Sequence, residues 1–257
     1  MKTKHLSAIL LLSAVILGPS LAWGDHCPER TQIQPFDLGF NGQAFFIHNI
    51  TEDRPNYTER FINEYLELGA RSIRLGIDWQ VLEPEPNLEE PLFYDNGCWN
   101  YTDMVEQFQA AGIEVQGLFT TAPSWVTEEE GQDWLSKTPL VESDENRAAM
   151  REVVAETLVH FYRSGCITRW EFWNEPSREI CPTGVTWCSP DPNQVTEGSI
   201  GYSQNYAYWF SAFLEGVGDA RMVLSASGHE VDFEIAMGAV DGNDINNWAR
   251  NVLNQIA

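Results

Sequence analysis

The sequence predicts an α/β fold built on a parallel sheet. After residue 25, short apolar segments alternate with amphipathic segments, and no antiparallel hairpin joins two strand-like segments. We count five such βα units. This pattern suits either an open doubly wound sheet or an incomplete barrel with about five of eight units. The segment from Gly39 to Gly42 does not supply G-x-G-x-x-G after the first strand, which argues against nucleotide binding.

Each predicted element has its own signal. Helix starts are indicated by capping residues, namely Asn56 with Glu59 three residues on, Asn100, and Ser143 or Asp144. Gly69 and Gly112 are expected to end the first two helices. The strands are predicted within residues 37–48 and at 72–77, 113–119, 168–173 and 222–227, and the later helices at about 203–217 and 245–256.

Residues 1–24 are predicted to be a signal peptide. Lys2 and Lys4 precede a mostly apolar stretch, residues 6–17, and small residues stand before Asp25. The apolar stretch is too short to span a membrane comfortably. We therefore expect a secreted protein, extracellular or periplasmic.

The five cysteines agree with export. Cys181 and Cys188 flank a short loop that contains proline and glycine, and they are the expected disulfide. The odd count leaves one thiol unpaired or paired beyond the chain. No C-x-x-C or H-E-x-x-H spacing predicts a metal site.

The charge limits the possible partners. The formal net charge is −23, and Lys137 is the only lysine after the predicted signal peptide. Nucleic acids and anionic membranes are therefore not expected as partners, because both repel an acidic surface.

The candidate chemistry lies in residues 170–176, Trp-Glu-Phe-Trp-Asn-Glu-Pro, which end the fourth predicted strand and lead into a loop. In a barrel, the C-terminal ends of the strands form the active-site face. Strand alternation places Glu171, Trp173 and Glu175 on one side, with the apolar residues between them facing the helices. Burial and like charge would then raise a carboxyl pKa, as a general acid requires.

This segment resembles the W-x-x-W-N-E-P motif of clan A glycoside hydrolases, most nearly families 39 and 5. Residues 78–84 (Asp-Trp-x-x-Leu-Glu-Pro) and 122–125 (Ala-Pro-Ser-Trp) resemble further clan motifs in the same order. Arg74 stands where the clan often has an arginine that supports the nucleophile. The resemblance covers about residues 37–227, and implies that residues 25–257 are the N-terminal part of a (β/α)8 barrel that needs no cofactor.

The resemblance implies a retaining glycosidase that acts on a neutral poly- or oligosaccharide. Glu175 would be the acid/base, and Asn174 would bond the sugar 2-hydroxyl. The nucleophile, a second glutamate at the end of the seventh strand, is expected to be missing from this chain. Substrate contacts are expected from Asn174, Trp173, Arg74, Trp125, Trp79 and His48.

Some of these residues also have structural explanations. Arg74 could only pair with Glu171, and the ion pair would then have no part in binding. Trp79 and Trp125 could anchor loops in the core, because large aromatic rings dominate packing. His48 could be a structural histidine.

Other assignments also remain open. Glu171, Glu230 and Glu234 are candidate replacements for the missing nucleophile, provided that the distance to Glu175 suits one of the two hydrolytic mechanisms. The whole chain could also be a non-catalytic carbohydrate-binding barrel, or a fragment of a longer gene.

Overall fold

The computed structural model describes residues 38–42, 54–86, 88, 90–93, 100–126, 141–174, 197–238, 252–254 and 256. The chain divides into Met1–Ile33 and Gln34–Ala257, and every described residue belongs to the second unit. The predicted signal peptide lies outside the described residues. Residues 252–254 and 256 of the predicted final helix are described, and they are helical.

A five-stranded parallel sheet forms the centre of this unit. Its strands are β1 (Leu38–Gly42), β2 (Ala70–Asp78), β3 (Glu114–Thr120), β4 (Arg169–Phe172) and β5 (Glu234–Met237). Each strand pairs in parallel with its neighbours in the sequence, in the order β1-β2-β3-β4-β5. That sequential order is typical of a (β/α)8 barrel, whereas a doubly wound sheet reverses its order at a switch point. The prediction of an α/β fold of incomplete barrel type is confirmed.

Helices follow the strands and cover one face of the sheet. They are α1 (Arg54–Glu67), α2 (Trp79–Leu82), α3 (Tyr101–Ala110), α4 (Asp144–Gly165) and α5 (Glu197–Ala226), with a 3-10 turn at Ser124–Val126. Two predicted caps are confirmed, because Asn100 accepts from the Asp103 amide at 2.9 Å and Ser143 from the Asn146 amide at 3.1 Å. None of the helices among the described residues is long and apolar enough to cross a membrane.

The helix-facing side of the sheet carries the core. Trp170 and Phe172 of β4 are buried, and their rings meet aromatic side chains of α4 and α5. The centroids of Phe161 and Trp170 are 6.2 Å apart, and those of Phe172 and Phe213 are 5.0 Å apart. The predicted alternation therefore holds over residues 170–172. Burying each such ring contributes roughly 1.5–3 kcal/mol.

The fifth predicted strand, residues 222–227, is wrong. Helix α5 continues through it to Ala226, and the strand that pairs with β4 follows at Glu234–Met237. Burial in this segment repeats every four residues, as in a helix, and not every two residues, as in a strand. Ala220 and Leu224 lie four residues apart and are fully buried, whereas Met222 and Val223 are 64% and 44% exposed.

One close contact in this core requires a residue without a side chain. A Cβ added to Gly117 of β3 would lie 2.4 Å from two ring atoms of Trp170. Gly117 and Trp170 are register partners on adjacent strands, so the indole lies over the glycine. The indole of Trp170 packs between the sheet and Phe161 of α4, so it cannot move away from the added methyl group without disturbing the core.

We predict that Gly117→Ala lowers the free energy of unfolding by roughly 1–3 kcal/mol, because the added methyl group overpacks the core. The matched control is Gly76→Ala on β2, where an added Cβ meets nothing within 4 Å. The control should leave stability unchanged or raise it slightly, since alanine restricts the unfolded chain. Urea unfolding of both variants measures the difference, and equal losses would contradict this account of Gly117.

Candidate functional site

Three polar side chains meet on the face of the sheet opposite the helices, near the C-terminal ends of its strands. Arg74 of β2 donates from Nε to Oε2 of Glu171 at 2.6 Å and from a terminal nitrogen to Oε1 at 2.8 Å. The same terminal nitrogen donates to Oδ1 of Asn174 at 3.1 Å. We call these three residues the Arg74 cluster. The expected pairing of Arg74 with Glu171 is present, and it extends to Asn174.

The strand register explains how this cluster forms. Arg74 pairs in register with Gln116 of β3, and Glu171 of β4 pairs with Leu118, two residues further along β3. Side chains two residues apart on a strand share a face, so Arg74 and Glu171 lie on the same side with β3 between them. The long arginine side chain reaches across β3 to the carboxylate. Both partners are mostly buried, with side chains 19% and 8% exposed.

The regular strand geometry ends at Trp173. Its φ is +68°, in the left-handed region that a bulky residue rarely adopts. The predicted strand alternation therefore does not extend to Trp173, and Glu175 lies outside the described residues. Thr121, directly after β3, also has a positive φ of 52°. Strained backbone at the ends of two adjacent strands is common where a fold positions functional groups.

A half-buried carboxylate, Asp78, lies at the end of β2. Asp78 accepts from the Tyr101 hydroxyl at 2.9 Å, and its other oxygen accepts from the Thr121 hydroxyl. Burial raises the pKa of Asp78, and the two hydrogen bonds oppose that rise. In the sequence, Asp78 stands out only as part of a motif. The signal that could have found this group is an aspartate at the C-terminal end of a predicted strand.

Two predicted sugar contacts are buried in the structure. Trp79 is 0% exposed, and its indole nitrogen donates to Oε2 of Glu83 at 2.8 Å. Its ring packs against Trp125 and Trp209, with centroids 5.6 and 6.1 Å away. Trp173 is 1% exposed. Both rings pack in the hydrophobic core, and the expected substrate contacts of these two residues stay predictions.

Trp125 differs, because it is only partly buried. Its indole nitrogen donates to the Glu83 backbone oxygen at 3.1 Å, and its side chain lines a cavity of about 410 Å³ between the segment after α2 and helix α4. Three of the carboxylates that line this cavity are Glu83, Glu152 and Glu156. The cavity is therefore acidic, with one aromatic wall.

Crowding of these carboxylates changes their ionisation. Burial, reinforced by the charges of Glu152, Glu90 and Glu83, raises the pKa of Glu156 to about 7. Burial also raises the pKa of Glu83, while its hydrogen bond from Trp79 opposes the rise. A carboxyl group in such surroundings holds its proton at pH values where an exposed one is ionised.

The structure does not favour Glu230, Glu234 or Glu171 as a replacement for the missing nucleophile. Glu230 is exposed and precedes β5 instead of following it. Glu234 begins β5 and pairs with Arg169 at 3.0 Å, which puts it at the N-terminal end of the sheet. Glu171 lies in the candidate site itself, but both of its carboxylate oxygens accept hydrogen bonds from Arg74.

Two of the predicted site residues, Glu175 and His48, lie outside the described residues. Their roles as acid/base and sugar contact stay predictions. The described part of the chain contains no group of three or more His, Cys, Asp or Glu side chains that could hold a metal ion.

Comparison with solved structures finds glycosidases among the matches. The chain is similar to Fpglu1 from Fervidobacterium pennivoraus, with 15% identity, a TM-score of 0.48, and coverage of 77% of this chain and 47% of that one. A GH5_18 variant from Bifidobacterium longum in complex with Manb1-4GlcNAc matches with 13% identity, a TM-score of 0.49 and coverage of 80% and 43%. Beta-glucosidase 2 from Trichoderma reesei matches with 19% identity, a TM-score of 0.45 and coverage of 72% and 37%.

The chain spans less than half the length of each of these three structures. No protein-family model matches the sequence, and no curated protein matches it.

We predict that Glu156→Gln stabilises the protein at alkaline pH. The unfolded chain ionises Glu156 near its ordinary pKa of 4.5, whereas the folded chain holds the proton up to about pH 7. The wild type therefore loses stability from this group as pH rises between those values, and a glutamine avoids the loss. The Tm of the variant should exceed that of the wild type at about pH 8, and the difference should shrink towards zero at about pH 4.

Glu59→Gln is the control for this experiment, because Glu59 is exposed on α1. It makes the same substitution away from the crowded carboxylates, so it should not reproduce the gain in Tm at about pH 8. A Glu156→Gln difference that does not depend on pH would contradict the assignment.

Proposed function

We propose that this chain is the N-terminal part of a glycoside hydrolase barrel that hydrolyses O-glycosidic bonds of a neutral poly- or oligosaccharide with retention. Glu175 is the acid/base in this proposal. The observation that carries it is the hydrogen bond from Arg74 to Asn174, which fixes the residue directly before Glu175 at the C-terminal edge of a parallel sheet.

The architecture supports this assignment in two ways. The strand order of the sheet is that of a barrel, and enzymes of this fold use the C-terminal strand ends for chemistry. At that edge, Arg74, Asp78 and Glu171 supply polar groups within a largely buried setting. Exclusion of water strengthens interactions between such groups and a polar substrate.

The proposed reaction divides into two proton transfers. Glu175 in its acid form gives its proton to the glycosidic oxygen as the bond to the anomeric carbon breaks, while a second carboxylate attacks that carbon. Glu175 as carboxylate then takes a proton from water, which displaces the second carboxylate. Asn174 bonds the sugar 2-hydroxyl, a contact that strengthens in the transition state. The second carboxylate is expected from a later strand than those described.

Export of the protein, its disulfide and the charge of its substrate are part of the same proposal. Residues 1–24 direct export, and Cys181 and Cys188 form a disulfide in the oxidising compartment that the chain reaches. The carbohydrate is uncharged, because the net charge of −23 would repel a polyanionic sugar at long range.

We predict that Glu175→Gln in the full-length protein lowers kcat on unactivated oligosaccharides by about 10²–10⁴-fold, the usual contribution of a general acid. Aryl glycosides with good leaving groups need less protonation, so their glycosylation step should be much less affected. Steady-state and burst kinetics on both substrate types measure the difference.

Glu230→Gln is the matched control, since Glu230 is an exposed carboxylate that precedes β5. It should leave both activities near the wild-type values. Equal losses on activated and unactivated substrates in Glu175→Gln would exclude the acid/base role.

A further inference from the structure

We propose that Glu171 is a positioning residue that acts through Arg74 to fix the orientation of the Asn174 amide. The inference rests on the proposed function, because it specifies how the amide meets a sugar. Asn174 presents its nitrogen as a hydrogen-bond donor, and the sugar oxygen that meets it is the acceptor.

The first step is the geometry of the guanidinium group. Nε and one terminal nitrogen of Arg74 contact the two oxygens of Glu171, at 2.6 and 2.8 Å. Two parallel contacts fix the plane of the guanidinium as well as its position. The terminal nitrogen has two hydrogens, and with one directed to Glu171 the other is directed to Oδ1 of Asn174, 3.1 Å away.

The second step is the polarity of the amide. Arginine donates hydrogen bonds and accepts none, so the atom of Asn174 that faces it must be the oxygen. The amide nitrogen then lies on the far side of the group from Arg74. An asparagine side chain without this contact could rotate by 180° and exchange donor and acceptor. The contact therefore determines which kind of hydrogen bond Asn174 makes beyond the cluster.

The third step is the rigidity of the support. Glu171 and Arg74 both project from strands, and their side chains are 8% and 19% exposed. Leu118 and Ala236, the register partners of Glu171, are both apolar, so the carboxylate is directed along the face of the sheet to Arg74. Water competes little with contacts at this depth, which favours a single arrangement.

The experiment uses the full-length protein labelled with ¹⁵N and follows the side-chain amide signals of Asn174, assigned by their loss in Asn174→Asp. Glu171→Gln keeps the size of the side chain but replaces one acceptor oxygen by a donor. We expect the Asn174 signals to move and their hydrogen exchange to accelerate at least about tenfold, because the amide loses its fixed partner.

Glu114→Gln is the matched control. Glu114 lies at the start of β3 and pairs with Arg169 at 3.3 Å, so the control also removes a carboxylate from an ion pair between strands. It should leave the Asn174 signals unchanged. Comparable changes in both variants would overturn the proposal, since the effect would then come from a general loosening of the sheet.

A second variant keeps the test decisive if Glu171→Gln does not fold. Arg74→Lys retains the positive charge but replaces the planar fork by a single ammonium group, which cannot hold both partners in the same geometry. It should change the Asn174 signals in the same way. Wild-type Asn174 signals in either folded variant would overturn the proposal.

Kinetics separate this proposal from the proposed function. If the protein hydrolyses glycosides, Glu171→Gln should lower kcat on the order of tenfold to a hundredfold and change KM much less, because the affected contact strengthens in the transition state. A protein that hydrolyses glycosides while Glu171→Gln leaves the Asn174 signals unchanged refutes only the positioning role. Altered Asn174 signals in a protein without any glycosidase activity refute the proposed function and leave the positioning role standing.

Discussion

The ion pair between Arg74 and Glu171 is the interaction on which the candidate site depends. It joins β2 to β4 across β3, and it forms only because three parallel strands are in the right register. A shift of one residue would move Glu171 to the helix-facing side among aromatic rings. The apolar packing of Trp170 and Phe172 on that side therefore also determines that Glu171 lies on the opposite face.

The sequence predicts the alternation of strands and helices well because the signals are local. Asn100 and Ser143 cap their helices as expected, and the first four strands lie within a few residues of their predicted positions. The fifth strand could not be found in this way. The run at residues 222–227 is apolar enough for a strand but lies in α5, whereas Glu234–Met237 has only four residues and is weakly buried.

The candidate site was predictable in its residues but not in its geometry. Arg74, Glu171 and Asn174 follow from their positions on strands and in a motif, and their contacts depend on register between segments almost a hundred residues apart. The tryptophans show the limit more clearly. Trp79, Trp125 and Trp173 are alike in sequence context, but only Trp125 keeps an exposed surface, because burial is decided by the packing of α5 and the loops.

Two groups of ion pairs on the sheet have different physical consequences. Arg169 bridges Glu114 and Glu234 near the N-terminal ends of the strands, where the Glu234 side chain is 56% exposed, and such a pair contributes at most about 1 kcal/mol. The Arg74–Glu171 pair is mostly buried, and removing one partner of a buried pair costs about 3–5 kcal/mol.

Replacing both partners of such a buried pair by apolar residues is often neutral or stabilising. Stability alone therefore does not require charges at this place. An apolar pair could fill the same volume, but it could not donate to Oδ1 of Asn174. The charged pair adds a directed hydrogen bond. Because the register of three strands and the contacts with Glu171 fix the guanidinium of Arg74, its bond to Oδ1 defines the orientation of the Asn174 amide at the end of the sheet.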